Sequence, residues 1–223
     1  EDLSKIIDTN DEWITERTGI KERRWINNDE STSSMALEAS KNAIADAGID
    51  KSAIDFIIFA TLSPDYYFPG PGVTLQKDLG LDTIGALDVR NQCSGFVYAL
   101  SIADQYIKTG MYTNILVVGS EYHSGGLDKT TRGRGVSVIF GDGAGAAIVS
   151  KSPSSDRGIL STHLHSQGEY AEELTLIGPS TRRWVPEIID GKGKEDKAIF
   201  PYMNGTFVFK HAVTRFPEVI NEA

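Results

Sequence analysis

The sequence is poor in the residues that build disulfide and zinc frameworks. It contains one cysteine, Cys93, and four histidines among 223 residues. One cysteine cannot form an internal disulfide, and this small set excludes a cysteine-rich zinc site. Because disulfides accumulate in oxidising compartments, the single thiol favours a reducing environment. We therefore expect a cytoplasmic protein without a structural metal centre.

Long apolar stretches and a surplus of positive charge are also missing. No hydrophobic run approaches the roughly 18 residues that a membrane span needs. The chain carries 22 Lys and Arg against 31 Asp and Glu, which gives a formal net charge of −9. An acidic chain without a basic stripe argues against nucleic acid as the main partner. The sequence thus predicts neither a membrane span nor a nucleic-acid-binding protein.

What the sequence does contain is the composition of a folded globular protein, with 40% hydrophobic and 24% charged residues. Strand and helix patterns alternate, which is typical of a layered α/β sheet. Strands are predicted at 55–61, 85–90, 115–119, 136–140, 144–149 and 159–163, and helices at 33–47, 73–79, 96–110 and 205–223. Pro217 is expected to kink or restart the last helix. The polar stretch 178–197 is expected to be a surface loop.

Cys93 stands where a buried strand is predicted to end and a helix to begin. The free N–H groups and partial positive charge of a helix N-terminus favour a thiolate placed there. The same N–H groups can hold the oxyanion that forms when a thiolate attacks a carbonyl. This setting suits an acyl-thioester intermediate on Cys93. A small buried core cysteine is the alternative, and the pattern leaves both open.

Two other patterns bear on ligand binding. Trp13 and Arg17 are four residues apart, so on a helix they share one face, where a guanidinium can stack on an indole or an adenine. Taken alone, the pair is more typical of a surface tryptophan covered by an arginine stem. The glycine-rich run 141–145 lacks the Gly-Lys-Ser/Thr ending of a phosphate loop and does not fit a dinucleotide fingerprint. A tight turn with Asp142 as its turn residue is expected instead.

Four blocks of the sequence resemble the β-ketoacyl-acyl-carrier-protein synthase III family. They are NDEWITERTGIKERR at 10–24, NQCSGFVYAL at 91–100, GDGAGA at 141–146 and YMNGTFVFK at 202–210. They stand in the order that the family has and extend over nearly the whole chain. Each block alone is a weak signal, but the four together are highly specific.

The resemblance implies an α/β protein with the thiolase-like, five-layered αβαβα fold. It assigns 1–151 to the N-terminal half, which carries the nucleophile, 152–197 to a connecting strand and surface loop, and 198–223 to the start of the C-terminal half. The histidine of the family's Pro-His-Gln-Ala-Asn type motif and its catalytic asparagine are not found here. We therefore expect a chain that lacks the family's extreme N-terminus and its C-terminal catalytic part.

The resemblance also implies an activity. The family performs a decarboxylative Claisen condensation of an acyl-CoA starter with malonyl-acyl carrier protein, which initiates fatty-acid synthesis. By this resemblance Cys93 is the nucleophile that holds the acyl group as a thioester. Coenzyme A enters as part of the substrate, and no permanently bound cofactor is implied. The implied partners are acyl-CoA, malonyl-acyl carrier protein and a second copy of the chain in a homodimer.

Further site residues are implied position by position. Three lie at the nucleotide entrance of the CoA site, three along the pantetheine tunnel and three in the wall of the acyl pocket. These sets are Trp13, Arg17 and Arg134 at the entrance, Met203, Gly205 and Phe209 in the tunnel, and Phe68, Phe140 and Leu176 in the pocket. In the family, the phenylalanine that corresponds to Phe68 reaches across the dimer and closes the acyl pocket of the partner subunit. An aromatic packed on its own subunit is the alternative for Phe68.

Other readings stay open at this point. One is a related cysteine-dependent starter-loading or condensing enzyme of polyketide or other secondary metabolism. Another is a catalytically incomplete acyl-binding subunit. A cysteine hydrolase would need a base beside Cys93, and none of the four histidines has a clear claim to that role. Arg182 and Arg183 are expected to lie in a solvated loop rather than to form the basic patch on which an acidic carrier protein docks.

Overall fold

The computed structural model describes residues 2–181, 185–186, 190 and 199–223, which form two compact units. The sheet unit comprises Arg24–Tyr122 and Asp142–Thr162, and the second unit comprises Glu1–Arg23, His123–Gly141 and His163–Ala223. The division into halves at 151/152 and 197/198 stays a prediction. Much of the expected loop 178–197, including Arg182 and Arg183, lies outside the described residues. Within the described part of the chain, no helix is long and apolar enough to span a membrane.

A four-stranded mixed sheet organises the sheet unit. Its strands are β1 (Phe56–Ala60), β2 (Gly85–Val89), β3 (Asn114–Glu121) and β4 (Gly143–Ser150), in the order β2-β1-β3-β4. Strand β1 is parallel to β2 and β3, and β4 is antiparallel to β3. Since parallel strands need crossover connections, helices separate β1, β2 and β3 along the chain. The alternation predicted from the sequence is confirmed for these strands.

Helices cover both faces of the sheet. Helices α2 (Thr32–Ala47) and α3 (Pro71–Leu79) lie on the face that carries Ile57 and Phe59. Helix α4 (Gly95–Lys108) packs on the other face, against Phe56 and Ile58. All five residues of β1 are buried. Burial on both faces explains why β1 is a continuous apolar run and not an alternating one.

Local capping signals set the ends of α2. The hydroxyl of Ser31 accepts a hydrogen bond from the backbone N–H of Ser34, whose own hydroxyl accepts from the N–H of Ser31, so the two form a capping box. At the other end Gly48 adopts the left-handed conformation with φ 65°. That conformation is inexpensive only for glycine, so the helix ends where the sequence predicts.

The second unit contains short elements and one long helix. They are α1 (Asp11–Thr18), α5 (Arg134–Ser137), α6 (Gly205–Glu222) and the antiparallel two-stranded pair of β5 (Leu174–Thr175) and β6 (Tyr202–Met203). Helix α6 is continuous from its first residue to its last. Pro217 therefore does not restart it, although proline removes one backbone donor from the ladder.

Two of the predicted strands, 136–140 and 159–163, do not form in the structure. The run 136–140 was expected as a strand because it is apolar and β-branched, but its first part lies in α5, where the hydroxyl of Ser137 donates to the carbonyl of Asp128 at 2.7 Å. The run 159–163 does not form a strand either. An extended segment becomes a strand only where a neighbour completes its backbone hydrogen bonds, and sequence pattern alone does not reveal that neighbour.

Asp88 of β2 lies beneath the start of α3. Its Oδ1 accepts a hydrogen bond from the backbone N–H of Gly72 at 2.9 Å, and a Cβ atom at Gly70 would overlap its carboxylate. Only glycine can therefore stand at Gly70 with this packing. Desolvation beneath the helix raises the pKa of Asp88, and the bond from Gly72 counteracts part of that increase. The residue nevertheless keeps more than a third of its surface exposed.

We expect Asp88→Asn to stabilise the protein slightly at neutral pH. A carboxyl with a raised pKa binds its proton more tightly in the folded state, so its contribution to stability is complete at low pH and is lost as the pH rises through that pKa. The amide oxygen can still accept from Gly72. The gain should be below about 1 kcal/mol because exposed charges are screened.

Thermal unfolding at pH 4 and at pH 7 measures this effect. Asp82→Asn, which removes one charge from the exposed segment just before β2, is the matched control. If Asp88→Asn changed the unfolding temperature by the same amount at both pH values, the raised pKa of Asp88 would be contradicted. The same holds if Asp82→Asn produced the same change in unfolding temperature.

Candidate active site

Cys93 lies between β2 and α4, on a 3-10 turn formed by Gln92–Ser94. It is a free thiol, and it is exposed. A buried core cysteine is therefore excluded. The first residue of α4 is Gly95, so the sulfur stands at the N-terminal end of a helix of 14 residues. This is the local setting that the sequence predicts for a nucleophile.

The backbone just before the nucleophile is strained. Gln92 has φ 44°, and among the described residues no other non-glycine residue has a positive φ. A non-glycine residue in the left-handed region costs about 1–3 kcal/mol and persists only where its surroundings enforce it. Such strain is concentrated at functional sites, and here it lies next to Cys93.

Two side-chain hydrogen bonds close the turn around Gln92. Asn91 Nδ2 donates to Ser94 Oγ at 3.1 Å, and Ser94 Oγ donates to the carbonyl oxygen of Asn91, also at 3.1 Å. A hydrogen bond contributes about 0.5–1.5 kcal/mol net, so the two together are of the same size as the strain. No role for Asn91 was predicted from the sequence. The signal in the sequence was an asparagine next to a predicted turn, because asparagine side chains readily hydrogen-bond to nearby backbone and side-chain groups there.

Gly95 lets the start of α4 approach the end of β1. A Cβ atom added at Gly95 would lie 3.2 Å from the Cβ of Ala60, which is tighter than ordinary contact. A larger residue there would require a shift of a few tenths of an ångström between the start of α4 and Ala60. The N–H groups of the first turn of α4 are thus held at the carboxyl ends of the parallel strands, where ligands of open α/β sheets bind.

Glu121, at the end of β3, fixes the loop that follows β1. Its carboxylate accepts hydrogen bonds from the N–H of Leu62 at 2.9 Å, from the hydroxyl of Ser63 at 2.6 Å and from the hydroxyl of Thr61 at 3.1 Å. Ser33 donates from its backbone N–H and its hydroxyl to the carboxylate of Asp65 in the same loop. This role of Glu121 was not predicted from the sequence, because the residues that it holds lie about 60 positions away along the chain.

The fixed loop carries a group of exposed aromatic side chains. Tyr66, Tyr67 and Phe68 have relative exposures of 60%, 69% and 82%. Phe68 contacts Tyr67 of the same loop edge to face, with ring centroids 6.4 Å apart, and most of its surface is exposed. Large apolar groups at this exposure are typical of a contact surface.

In the second unit, Trp13 meets both predicted arginines. The Cζ of Arg17 lies 4.5 Å from the centroid of the indole, and the Cζ of Arg134 lies 4.7 Å from it. Arg17 is one turn further along α1, whereas Arg134 comes from the start of α5. Arg134 Nη1 also donates to the carbonyl oxygen of Asp8 at 2.8 Å. The structure thus brings together three residues that the family resemblance assigns to one nucleotide entrance.

Asp128 organises the segment that presents Arg134. Its buried carboxylate accepts from the N–H and hydroxyl of Thr130 and from Arg132 Nε at 2.6 Å. Burial alone would raise the pKa of Asp128, but the bonds from Thr130 and Arg132 lower it below its ordinary value. A Cβ atom at Gly133 would overlap the Asp128 carbonyl. Arg132 is therefore engaged with Asp128.

The remaining predicted residues are distributed over both units. Phe140 is half-buried and packs against His123, with ring centroids 5.2 Å apart. Leu176 is exposed just after β5. Met203, Gly205 and Phe209 lie along β6 and the first turns of α6, and Phe209 is exposed. These five residues belong to the second unit with Trp13, whereas Phe68 and Cys93 belong to the sheet unit.

The other histidines have structural contacts. His163 Nδ1 lies 3.1 Å from Glu222 Oε1, and His165 Nε2 lies 2.7 Å from Glu222 Oε2. Hydrogen bonds from these two rings lower the pKa of Glu222. His211 stacks on Phe207, with ring centroids 3.9 Å apart. The residues that the structure describes include no group of three or more potential ligands placed to hold a metal ion.

Comparisons with known proteins identify the family. A model of the 3-oxoacyl-[acyl-carrier-protein (ACP)] synthase III family matches residues 87–168, which include Cys93. The β-ketoacyl-[acyl-carrier-protein] synthase III of Aliivibrio fischeri is 47% identical over 221 residues, which are 99% of this chain and 65% of that protein. The chain thus spans about two thirds of the length of this relative.

Solved structures agree with the sequence match. The 3-oxoacyl-[acyl-carrier-protein] synthase III of Aquifex aeolicus has a TM-score of 0.86 at 39% identity, over 99% of this chain and 64% of that one. Another 3-oxoacyl-(acyl-carrier-protein) synthase III has a TM-score of 0.86 at 30% identity, over 99% of this chain and 67% of that one. The thiolase-like α/β fold class expected from the sequence is confirmed. The chain belongs to the β-ketoacyl-acyl-carrier-protein synthase III family.

Proposed function

We propose that the protein is an acyltransferase that condenses an acyl-CoA starter with malonyl-acyl carrier protein and so initiates fatty-acid synthesis. The observation that carries this proposal is the exposed thiol of Cys93 at the N-terminus of α4, within the segment that the family model matches. A nucleophile in this position is accessible to a thioester. The adjacent backbone N–H groups can stabilise the oxyanion of the tetrahedral intermediate.

The reaction proceeds in two transfers. The thiolate of Cys93 attacks the carbonyl carbon of acyl-CoA, a new C–S bond forms, and the bond to the coenzyme sulfur breaks. Coenzyme A leaves as a thiolate that takes up a proton. The malonyl thioester then loses CO₂, and the electron pair of the broken C–C bond becomes a carbanion. That carbanion attacks the acyl carbon and expels the Cys93 thiolate, which is ready for another cycle.

The proposed CoA site begins at Trp13. Stacking on an indole and contact with planar guanidinium groups suit an adenine ring, and cations suit the phosphates of the coenzyme. Arg17 and Arg134 supply those groups in the observed geometry. Met203, Gly205 and Phe209 are proposed to line the path of the pantetheine arm. Coenzyme A is here a substrate, and the proposal includes no resident cofactor.

The acyl group is proposed to be enclosed by Phe140, Leu176 and Phe68. The exposure of Phe68 supports a role at a contact between two copies of the chain, so we propose a homodimer in which Phe68 closes the pocket of the partner. The loop that carries it is held by Glu121 and Asp88 at its two ends, which makes the aromatic tip a defined surface. A cytoplasmic location is proposed because Cys93 is a free, exposed thiol.

Intact mass spectrometry of the purified protein tests the proposal. After mixing with acetyl-CoA, we expect one added acetyl group per chain and an equal amount of free coenzyme A. Addition of malonyl-acyl carrier protein should discharge the acetyl group and release CO₂. Acetylation without discharge would support an acyl-binding subunit instead, and no acetylation would contradict the proposed transfer.

A further inference from the structure

We propose that Asn91 and Ser94 are positioning residues that lock the turn carrying Cys93. The inference rests on the proposed function of Cys93 and adds to it two residues that do not touch the substrate. The Asn91–Ser94 lock consists of the two 3.1 Å bonds that join these residues through a single atom, Ser94 Oγ. That oxygen accepts from the Asn91 side chain and donates to the Asn91 carbonyl.

The turn needs such a lock because its backbone conformation is unfavourable and its side chains are largely exposed to solvent. Gln92 has φ 44° between the two locked residues. Asn91 is half-exposed, and Gln92, Cys93 and Ser94 are exposed. Since buried neighbours contribute little here, local hydrogen bonds are what can hold the left-handed residue in place. Relaxation of Gln92 to a negative φ would turn the following residue and displace the Cys93 sulfur.

Displacement of the sulfur matters because acyl transfer requires alignment. The attacking sulfur must approach the carbonyl carbon while the oxygen points at the N–H groups of α4, and a misplacement of 1 Å can cost about 100-fold in rate. The lock therefore acts through Cys93 on the rate of acylation. It is not expected to alter the affinity for the coenzyme, which is assigned to residues of the second unit.

Ser94→Ala removes both bonds of the lock and leaves Cys93 in place. We expect the rate of Cys93 acylation at saturating acetyl-CoA to fall about five- to thirtyfold, with KM unchanged. Gln92→Gly removes the strain because glycine adopts positive φ without cost. The double variant Ser94→Ala/Gln92→Gly should therefore recover most of the lost rate. A merely structural role of Ser94 predicts no such recovery.

Ser101→Ala is the matched control. Ser101 lies further along α4 and hydrogen-bonds to Thr162 at 3.2 Å, so this variant also loses a side-chain hydrogen bond but leaves the turn intact. Its acylation rate should equal that of the native protein. Acylation is measured in single-turnover reactions with acetyl-CoA, and alkylation of Cys93 by iodoacetamide is measured in parallel.

The outcomes separate this proposal from the proposed function. Slow acylation and alkylation in Ser94→Ala, with recovery in the double variant, would support the lock. Native rates in Ser94→Ala, or a loss that Gln92→Gly does not restore, would overturn it. If the native protein is not acylated at all, the proposed function fails, and the alkylation rates of the same variants still decide whether the lock positions the thiol.

Discussion

Replacing Cys93 by alanine is expected to lower acyl transfer from acetyl-CoA by at least about 10³-fold, because the variant has no group that can hold the acyl chain. Removal of a covalent nucleophile eliminates the reaction path rather than weakening one contact. The loss should appear as the absence of an acetyl group in the intact mass after incubation with acetyl-CoA.

The folded state should be little affected by this change. Truncation of an exposed side chain usually alters the free energy of unfolding by less than about 0.5 kcal/mol, so Cys93→Ala should unfold at the temperature of the native protein. Cys93→Ser is the matched variant, since it keeps the size of the side chain but replaces a thiol by a much weaker nucleophile. An acetylated alanine variant would show that another residue carries the acyl group and would refute the mechanism.

Replacing Trp13 by alanine is expected to weaken the binding of acyl-CoA about 5- to 150-fold, corresponding to about 1–3 kcal/mol. This is the range measured when an aromatic platform is removed from beneath a base. In the structure the indole also packs against Arg17 and Arg134, so its loss removes one contact from each guanidinium group. The effect should be found in KM for acyl-CoA and not in the rate at saturation.

Acyl-pantetheine provides the control for this prediction, because it carries the thioester without the nucleotide. Its kcat/KM should be the same for the native protein and for Trp13→Ala. Trp13→Phe, which keeps an aromatic face, should lose less affinity than the alanine variant. Equal losses with acyl-CoA and acyl-pantetheine would mean that Trp13 supports the fold and does not bind the nucleotide.

Short-range chemistry in the sequence determined much of the sheet unit. The continuous apolar run of β1 predicts a strand that is buried on both faces, as the structure shows. Gly48 ends α2 because it takes a left-handed conformation that other residues avoid. Cys93 could likewise be placed between a strand and a helix from the residues around it. These features depend on neighbours a few positions away, so the sequence contains the information directly.

Only the tertiary structure decided the features that depend on distant partners. The run 136–140 has the composition of a strand, but its first part lies in α5, where the hydroxyl of Ser137 donates a hydrogen bond to the carbonyl of Asp128. Arg134 reaches Trp13 because the segment that Asp128 organises presents it, and no spacing rule connects two residues so far apart in sequence. The positive φ of Gln92 is likewise not evident from the sequence, since it is a property of the folded backbone.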